Sequence, residues 1–288
     1  MRSEIVHITD TGKFVRTRRR LSRWDANIDA LGARLVFYGK TILQIPGAVA
    51  KHPLETVRLV AEISMGSGAL ALIGGTAAIV GFMTMATGST IAIQGFSSLG
   101  NIGIEALSGF LSAFINVRIA APVIAGIALS ATLGAGATAQ IGAMRIAEEI
   151  DALESMAIRP VPYVVSTRVA AGMITIVPLY SLALAASFLA GKFTTVVLFG
   201  QSSGLYDHYF STFLNPMDVL WSFVQALLIA LVVMLVHTHY GFTAAGGPAG
   251  VGAAVGRAVR MSLIMVVLVV LLVSLALYGG SGNFHLSG

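Results

Sequence analysis

Five stretches of this chain run without a single Asp, Glu, Lys or Arg: Ile63–Ile104, Ile119–Met144, Val169–Gly191, Val219–Gly256 and Met261 to the C-terminus. Each exceeds the roughly 20 apolar residues that an α-helix needs to cross bilayer hydrocarbon. The fourth is strongly apolar only in its first half. The expected fold is therefore all-α and integral to a membrane, with five transmembrane helices near 63–87, 118–141, 168–190, 218–238 and 260–279. The segment 94–117 is ambiguous: it either extends the second helix outward or lies at the interface. Composition agrees with lipid as the solvent. Hydrophobic residues make up 56% of the chain and charged residues 11%, where soluble domains carry roughly 25% charged. A water-soluble fold of this size has no way to hide so much apolar surface.

The 32 glycines suit membrane helices that approach closely. In the first span Gly66, Gly68, Gly74, Gly75 and Gly81 either permit such packing or leave room for a ligand; Gly74, Gly75 and Gly81 are the candidate lining of a lipid path. There is no cysteine, which excludes disulfides, thiol catalysis and thiolate metal sites. The basic run Arg16, Arg18, Arg19, Arg20 and Arg23 is not followed by an apolar core and a small-residue cleavage site, so it does not read as a cleavable signal. Beside so hydrophobic a chain it reads as an anchor for anionic lipid rather than a nucleic-acid site.

Lysine and arginine set the orientation. The segment up to Arg58 is basic, Arg145, Arg159 and Arg168 flank the second loop, and Arg257 and Arg260 precede the last span. With five spans these fall on one side, leaving Lys192 and Arg118 toward the other. The expected topology is a bacterial cell (inner) membrane protein with a cytoplasmic N-terminus and an external C-terminus. Residues 1–50 form a basic tail and an amphipathic helix: Trp24, Ile28, Leu31, Leu35, Tyr38, Ile42 and Ile45 recur at spacings of four and three, which puts them on one stripe. Next to a span this suits a helix lying in the headgroup layer, ended by Pro46-Gly47. Residues 51–288 form the membrane domain.

The segment Gly142–Pro162 carries the strongest local signal. Arg145, Ile146, Glu148, Glu149, Ile150, Asp151, Leu153 and Glu154 make a short helix with a small apolar stripe and an acidic flank. It either packs on its own membrane domain or docks a soluble partner with basic residues. No histidines converge with these acids, so no metal site is expected. His237-Thr238-His239 reads as interfacial side chains at a helix end. The glycine-rich segment Gly241–Arg257 lacks the Gly-Lys-Ser/Thr ending of a phosphate loop and reads as linker or close packing. Asp207-His208 has no nucleophile partner. With no nucleotide motif and no convincing charge within the spans, energy for any transport has to come from another subunit.

The block GAGATAQIGAMRIAEEIDALESMAIRPVPYVVSTR at 134–168 resembles the signature of the MlaE/YrbE permeases of Mce-type ABC lipid transporters. ETVRLVAEISMG at Glu55–Gly66, QGFSSLGNIGIEAL at Gln94–Leu107 and HYGFTAAGGPAGVGAAVGRAVR at His239–Arg260 agree, and the whole is similar to the B-type YrbE subunit from about Ala50 onward. The resemblance implies an interfacial elbow helix, five spans and a cytoplasmic coupling helix matching Arg145–Ile158. It implies a non-catalytic subunit paired with an A-type YrbE paralogue, ABC ATPase subunits that carry the ATP and magnesium, and an external Mce assembly. No cofactor is expected in this chain. The implied activity is movement of a hydrophobic lipid, a sterol or a fatty or mycolic acid, inward; QSSGLYDHYF and SGNFHLSG lean toward the sterol-associated group. Export, or a structural anchor for the Mce assembly, are the alternatives. The homodimeric MlaE branch carries an acid at the position of Gln140 and an arginine near Ser130, and this chain has neither.

Overall fold

A computed structural model describes residues 31–65 and 75–278. Among these residues every regular element is helical. Five helices are long and apolar enough to cross a membrane: α3 (Gly75–Gly100), α4 (Glu105–Ile146), α6 (Val161–Leu198), α8 (Pro216–Phe242) and α9 (Gly247–Tyr278). Shorter elements are α1 (31–51), α2 (Pro53–Met65), α5 (Glu149–Ser155) and α7 (Ser203–Phe213). The all-α, five-span fold is as expected, and the chain is a multi-pass membrane protein.

The chain divides into two units, Met1–Leu43 and Gln44–Gly288. In the first, 31–43 is helical, with Leu31, Leu35, Val36 and Leu43 exposed. Trp24 and Ile28 of the expected stripe lie outside the described residues. In the second unit the helix passes Pro46 and Gly47 rather than ending there. Packing holds it: Ala48 is buried and His52 meets Tyr163 edge-on at 5.0 Å. The break comes at His52, whose helical geometry is disfavoured by the following Pro53.

The first spanning helix is described from Gly75 to Gly100; residues 66–74 of the expected span 63–87 lie outside the described residues. Gly75 has a left-handed backbone, at φ +48°. The ambiguous segment 94–117 divides: its first residues end α3, and residues from Glu105 begin α4. The glycine-rich segment expected as linker or close packing is helical from Gly247. The facing Gly142 of α4 allows close approach; a Cβ there would lie 2.8 Å from Val251 Cγ1.

Contacts fix the directions of the helices. Gly126 faces Ile229, Gly134 faces His237 and Gly241 faces Thr138, so α4 and α8 run alike. Gly126 also faces Val266 and Gly142 faces Val251, so α9 runs against α4. Helix α3 packs on α6, with Gly88 against Ser187, and on α4, with Gly95 against Leu111. At the end of the bundle away from α5, Arg118 Nη2 donates to Asp218 Oδ2 at 2.7 Å and ties α4 to α8. Asn215 caps α8, its Oδ1 accepting from Met217 N at 2.9 Å.

Candidate functional site: a polar-ended cavity and the helix beside it

Helix α4 is regular except at two turns, Asn116–Ala120 and Ser130–Gly134, where the backbone widens to π-helix. Such turns insert one extra residue and recur at functional sites. The second borders a cavity of about 550 Å³ among α2, α3, α4, α6 and α9, within the roughly 300–1,000 Å³ usual for small-molecule sites. Ile79, Ala131, Leu133, Ala135 and Val255 give it apolar walls, and Gly75, Thr76, Thr132 and Gly136 also line it. Its polar end is made by Glu62, Gln140 and Arg168. Gln140 Nε2 donates to Glu62 Oε1 at 2.9 Å. Arg168 Nη1 donates to Val164 O at 3.0 Å, while its buried Nε has no partner. A carboxylate and a guanidinium thus reach this cavity from α2 and α6, although positions 140 and 130 carry no charge. An apolar slot with one charged, hydrogen-bonding end suits an amphiphile.

The candidate path residues separate. Gly75 lines the cavity. Gly81 is buried on α3, and a Cβ there would meet nothing within 4 Å. Gly74 lies outside the described residues.

The helix expected between the second and third spans is α5. Left-handed residues bracket it, Glu148 at φ 60° and Ala157 at φ 59°. Its stripe turns inward: Ile150 is wholly buried against Ile141 of α4 and Val164 of α6, with Leu153, Met144, Tyr163 and Phe242 around them. Ile146 is exposed at the end of α4. Glu148, Glu149, Asp151 and Glu154 are exposed, and Arg145 Nη1 reaches Asp151 Oδ1 at 2.6 Å. The surface offered outward is therefore acidic, with Met156 and Ile158 as its exposed apolar residues.

His237 is not interfacial. It is wholly buried among hydroxyls of α4 and α9, because Gly134 leaves a notch for its ring. Among the described residues no cluster of three or more His, Asp or Glu is placed to hold a metal ion. On the far side, Lys192 Nζ donates to Asp207 Oδ2 at 2.8 Å and holds that carboxyl below its usual range.

The family model described as Permease MlaE matches residues 66–276. A probable ABC transporter permease protein of Rickettsia prowazekii (strain Madrid E) is 28% identical over 131 residues, 46% of this chain and 51% of that protein. One from Synechocystis sp. (strain ATCC 27184 / PCC 6803 / Kazusa) is 27% identical over 146 residues, 51% of this chain and 55% of its own. The protein TRIGALACTOSYLDIACYLGLYCEROL 1, chloroplastic, of Arabidopsis thaliana is 22% identical over 151 residues, 52% of this chain and 43% of its own. The chain spans about half the length of the curated relatives it matches.

Proposed function

The chain belongs to the MlaE permease family, and on that footing we propose that it is the membrane subunit of an ABC transporter that moves a hydrophobic lipid across the bacterial cell membrane, inward, with ATP hydrolysed by partner subunits. The cavity carries this reading: its apolar walls take the body of the lipid, and Glu62, Gln140 and Arg168 meet its polar group. A sterol is the favoured cargo over fatty or mycolic acids. An A-type YrbE paralogue completes the permease, and an Mce assembly stands outside. Basic residues on the α5 side, Arg58, Arg145, Arg159, Arg257 and Arg260, support a cytoplasmic N-terminus and an external C-terminus. In this reading 31–43 is part of an elbow helix on the membrane surface, its exposed Leu31, Leu35 and Leu43 in the headgroup boundary.

Helix α5 couples the ATPase to the spans. Ile150 is wedged between Ile141 and Val164, so a push on α5 reaches α4 and α6 together. Glu148, Glu149 and Glu154 face a basic partner, and such rim charges set orientation and rate of association.

The test is the whole complex in lipid vesicles. A sterol, a long-chain fatty acid and a phospholipid are each assayed for stimulation of ATPase and for transfer between leaflets. Stimulation and transfer with one of them is expected; neither with any lipid, in a complex that still assembles, leaves only a scaffold. Glu149→Lys with Glu154→Lys lowers co-purification of the ATPase, and wild-type recovery sinks the coupling role. The chain is free of thiols, so Ser155→Cys and Ser203→Cys report topology: an impermeant reagent labels only the second in intact cells.

A further inference from the structure

The imidazole of His237 lies in the bundle interior and is part of neither the cavity lining nor α5. Its partners come from two other spans. Nδ1 is 2.8 Å from Thr138 Oγ1. Nε2 is 3.3 Å from Ser130 Oγ and 3.1 Å from Ser262 Oγ, and the two serine oxygens are 2.5 Å apart. Counting protons gives the directions. Thr138 Oγ1 donates its one hydrogen to a main-chain carbonyl, Gly134 O at 3.1 Å or His237 O at 3.0 Å. Toward the ring it therefore accepts, and Nδ1 carries the hydrogen. Both nitrogens have hydroxyl partners. Access, which a nucleophilic Ser–His pair needs, is missing, since the ring is wholly buried. Its role lies in what it holds.

What it holds is the π-helical turn Ser130–Gly134. Ser130 and Gly134 face the imidazole, and a Cβ on Gly134 would lie 2.5 Å from ring Cδ2. Ala131, Thr132 and Leu133 line the cavity. One turn of backbone thus has the histidine on one face and the cavity on the other. Relaxing it to an α-turn would rotate one part of α4 against the other by roughly 100°, the angle of one residue, and Gln140 with it. We infer that His237 is a positioning residue for lipid binding: by holding Ser130 and filling the notch at Gly134 it fixes the cavity wall at Ala131 and Thr132 without touching the ligand. The inference rests on the cavity being the lipid site.

The thiol-free chain allows a direct test in the complete complex. Thr132→Cys places one thiol in the cavity wall, and Ser155→Cys serves as a control in α5. Both are labelled with an apolar maleimide, with and without each of the sterol, the long-chain fatty acid and the phospholipid assayed above. His237→Leu is expected to change labelling at 132 severalfold, to leave the control unchanged, and to raise the half-maximal stimulating lipid concentration about tenfold, equivalent to ~1.4 kcal/mol. His237→Gln, whose amide oxygen reaches the serines, should stay near wild type, whereas His237→Asn should behave as His237→Leu. Gly134→Ala should mimic His237→Leu, because its methyl displaces the ring. Combined with His237→Ala it should be tolerated, since the methyl then fills an empty notch. A merely structural role lowers assembly yield while assembled complexes keep wild-type labelling and half-maximal concentration; that result overturns the inference. If lipid fails to protect the Thr132→Cys thiol while His237→Leu still shifts its labelling, the cavity is not the lipid site, and the lipid-binding role of His237 falls with it. If protection holds and labelling is unmoved, His237 alone is excluded.

Discussion

Gly88 and Gly136 are the same residue used in opposite ways. A Cβ on Gly88 would fall on the carbonyl oxygen of Ser187, so that glycine is where α3 and α6 touch. A Cβ on Gly136 would meet nothing within 4 Å, and Gly136 lines the cavity. Between membrane helices, where lipid tails are as apolar as leucine, close backbone approach replaces the hydrophobic drive to pack. The seam at Gly88 draws its stability from that approach. The cavity gives it up and gains a space. The contrast teaches that a glycine-rich span is ambiguous until its neighbour is known.

The largest effect is expected at the seam. Gly88→Leu forces the α3–α6 backbones apart and should cost about 3 kcal/mol, seen as a large drop in the thermal midpoint of the detergent-solubilised complex. Next comes the wedge under α5. Ile150→Ala removes a wholly buried side chain between Ile141 and Val164 and should cost about 2 kcal/mol; an unchanged midpoint would mean that α5 is not packed on the spans. Gly75→Ala should cost about 1 kcal/mol because of its left-handed backbone. Gly136→Leu should leave the midpoint within about 0.5 kcal/mol of wild type, yet abolish lipid stimulation of ATPase by filling the cavity. If Gly136→Leu destabilises as Gly88→Leu does, the contrast between the two glycines is false.

The five spans were legible because charge is costly in hydrocarbon, so its absence marks them over long windows. Their ends were less so. Residues 241–257 read as linker or close packing because glycine is a poor helix former in water yet lets membrane helices approach; the fold shows helix from Gly247, packed against Gly142. The acidic helix α5 was visible from its pattern, but not that Ile150 faces the membrane domain. The polar end of the cavity was legible only in pieces: the position of Gln140 stood out in the resemblance, but Glu62, Gln140 and Arg168 come from three helices that only the fold brings together. His237 misled for a physical reason. A histidine at the end of an apolar run usually faces the headgroups, and the notch that draws it inward belongs to Gly134, 103 residues earlier in the chain. That partner could be found only by placing α4 alongside α8.

The polar knot among Ser130, Thr138, His237 and Ser262 also bears on how the chain is made. Ser130 and Ser262 are 132 residues apart. At roughly 5–20 residues per second of synthesis, the first serine waits some 7–26 s for the second to emerge. During that interval α4 must hold an incomplete polar cluster without its last span. Two of the members have a local refuge, since Thr138 bonds Gly134 O and Ser262 bonds Val259 O within their own helices. The imidazole has none so close. Release of nascent α8 from the insertion machinery would then wait on α9, and chains truncated before Met261 should be retained there or degraded rather than left free in the bilayer.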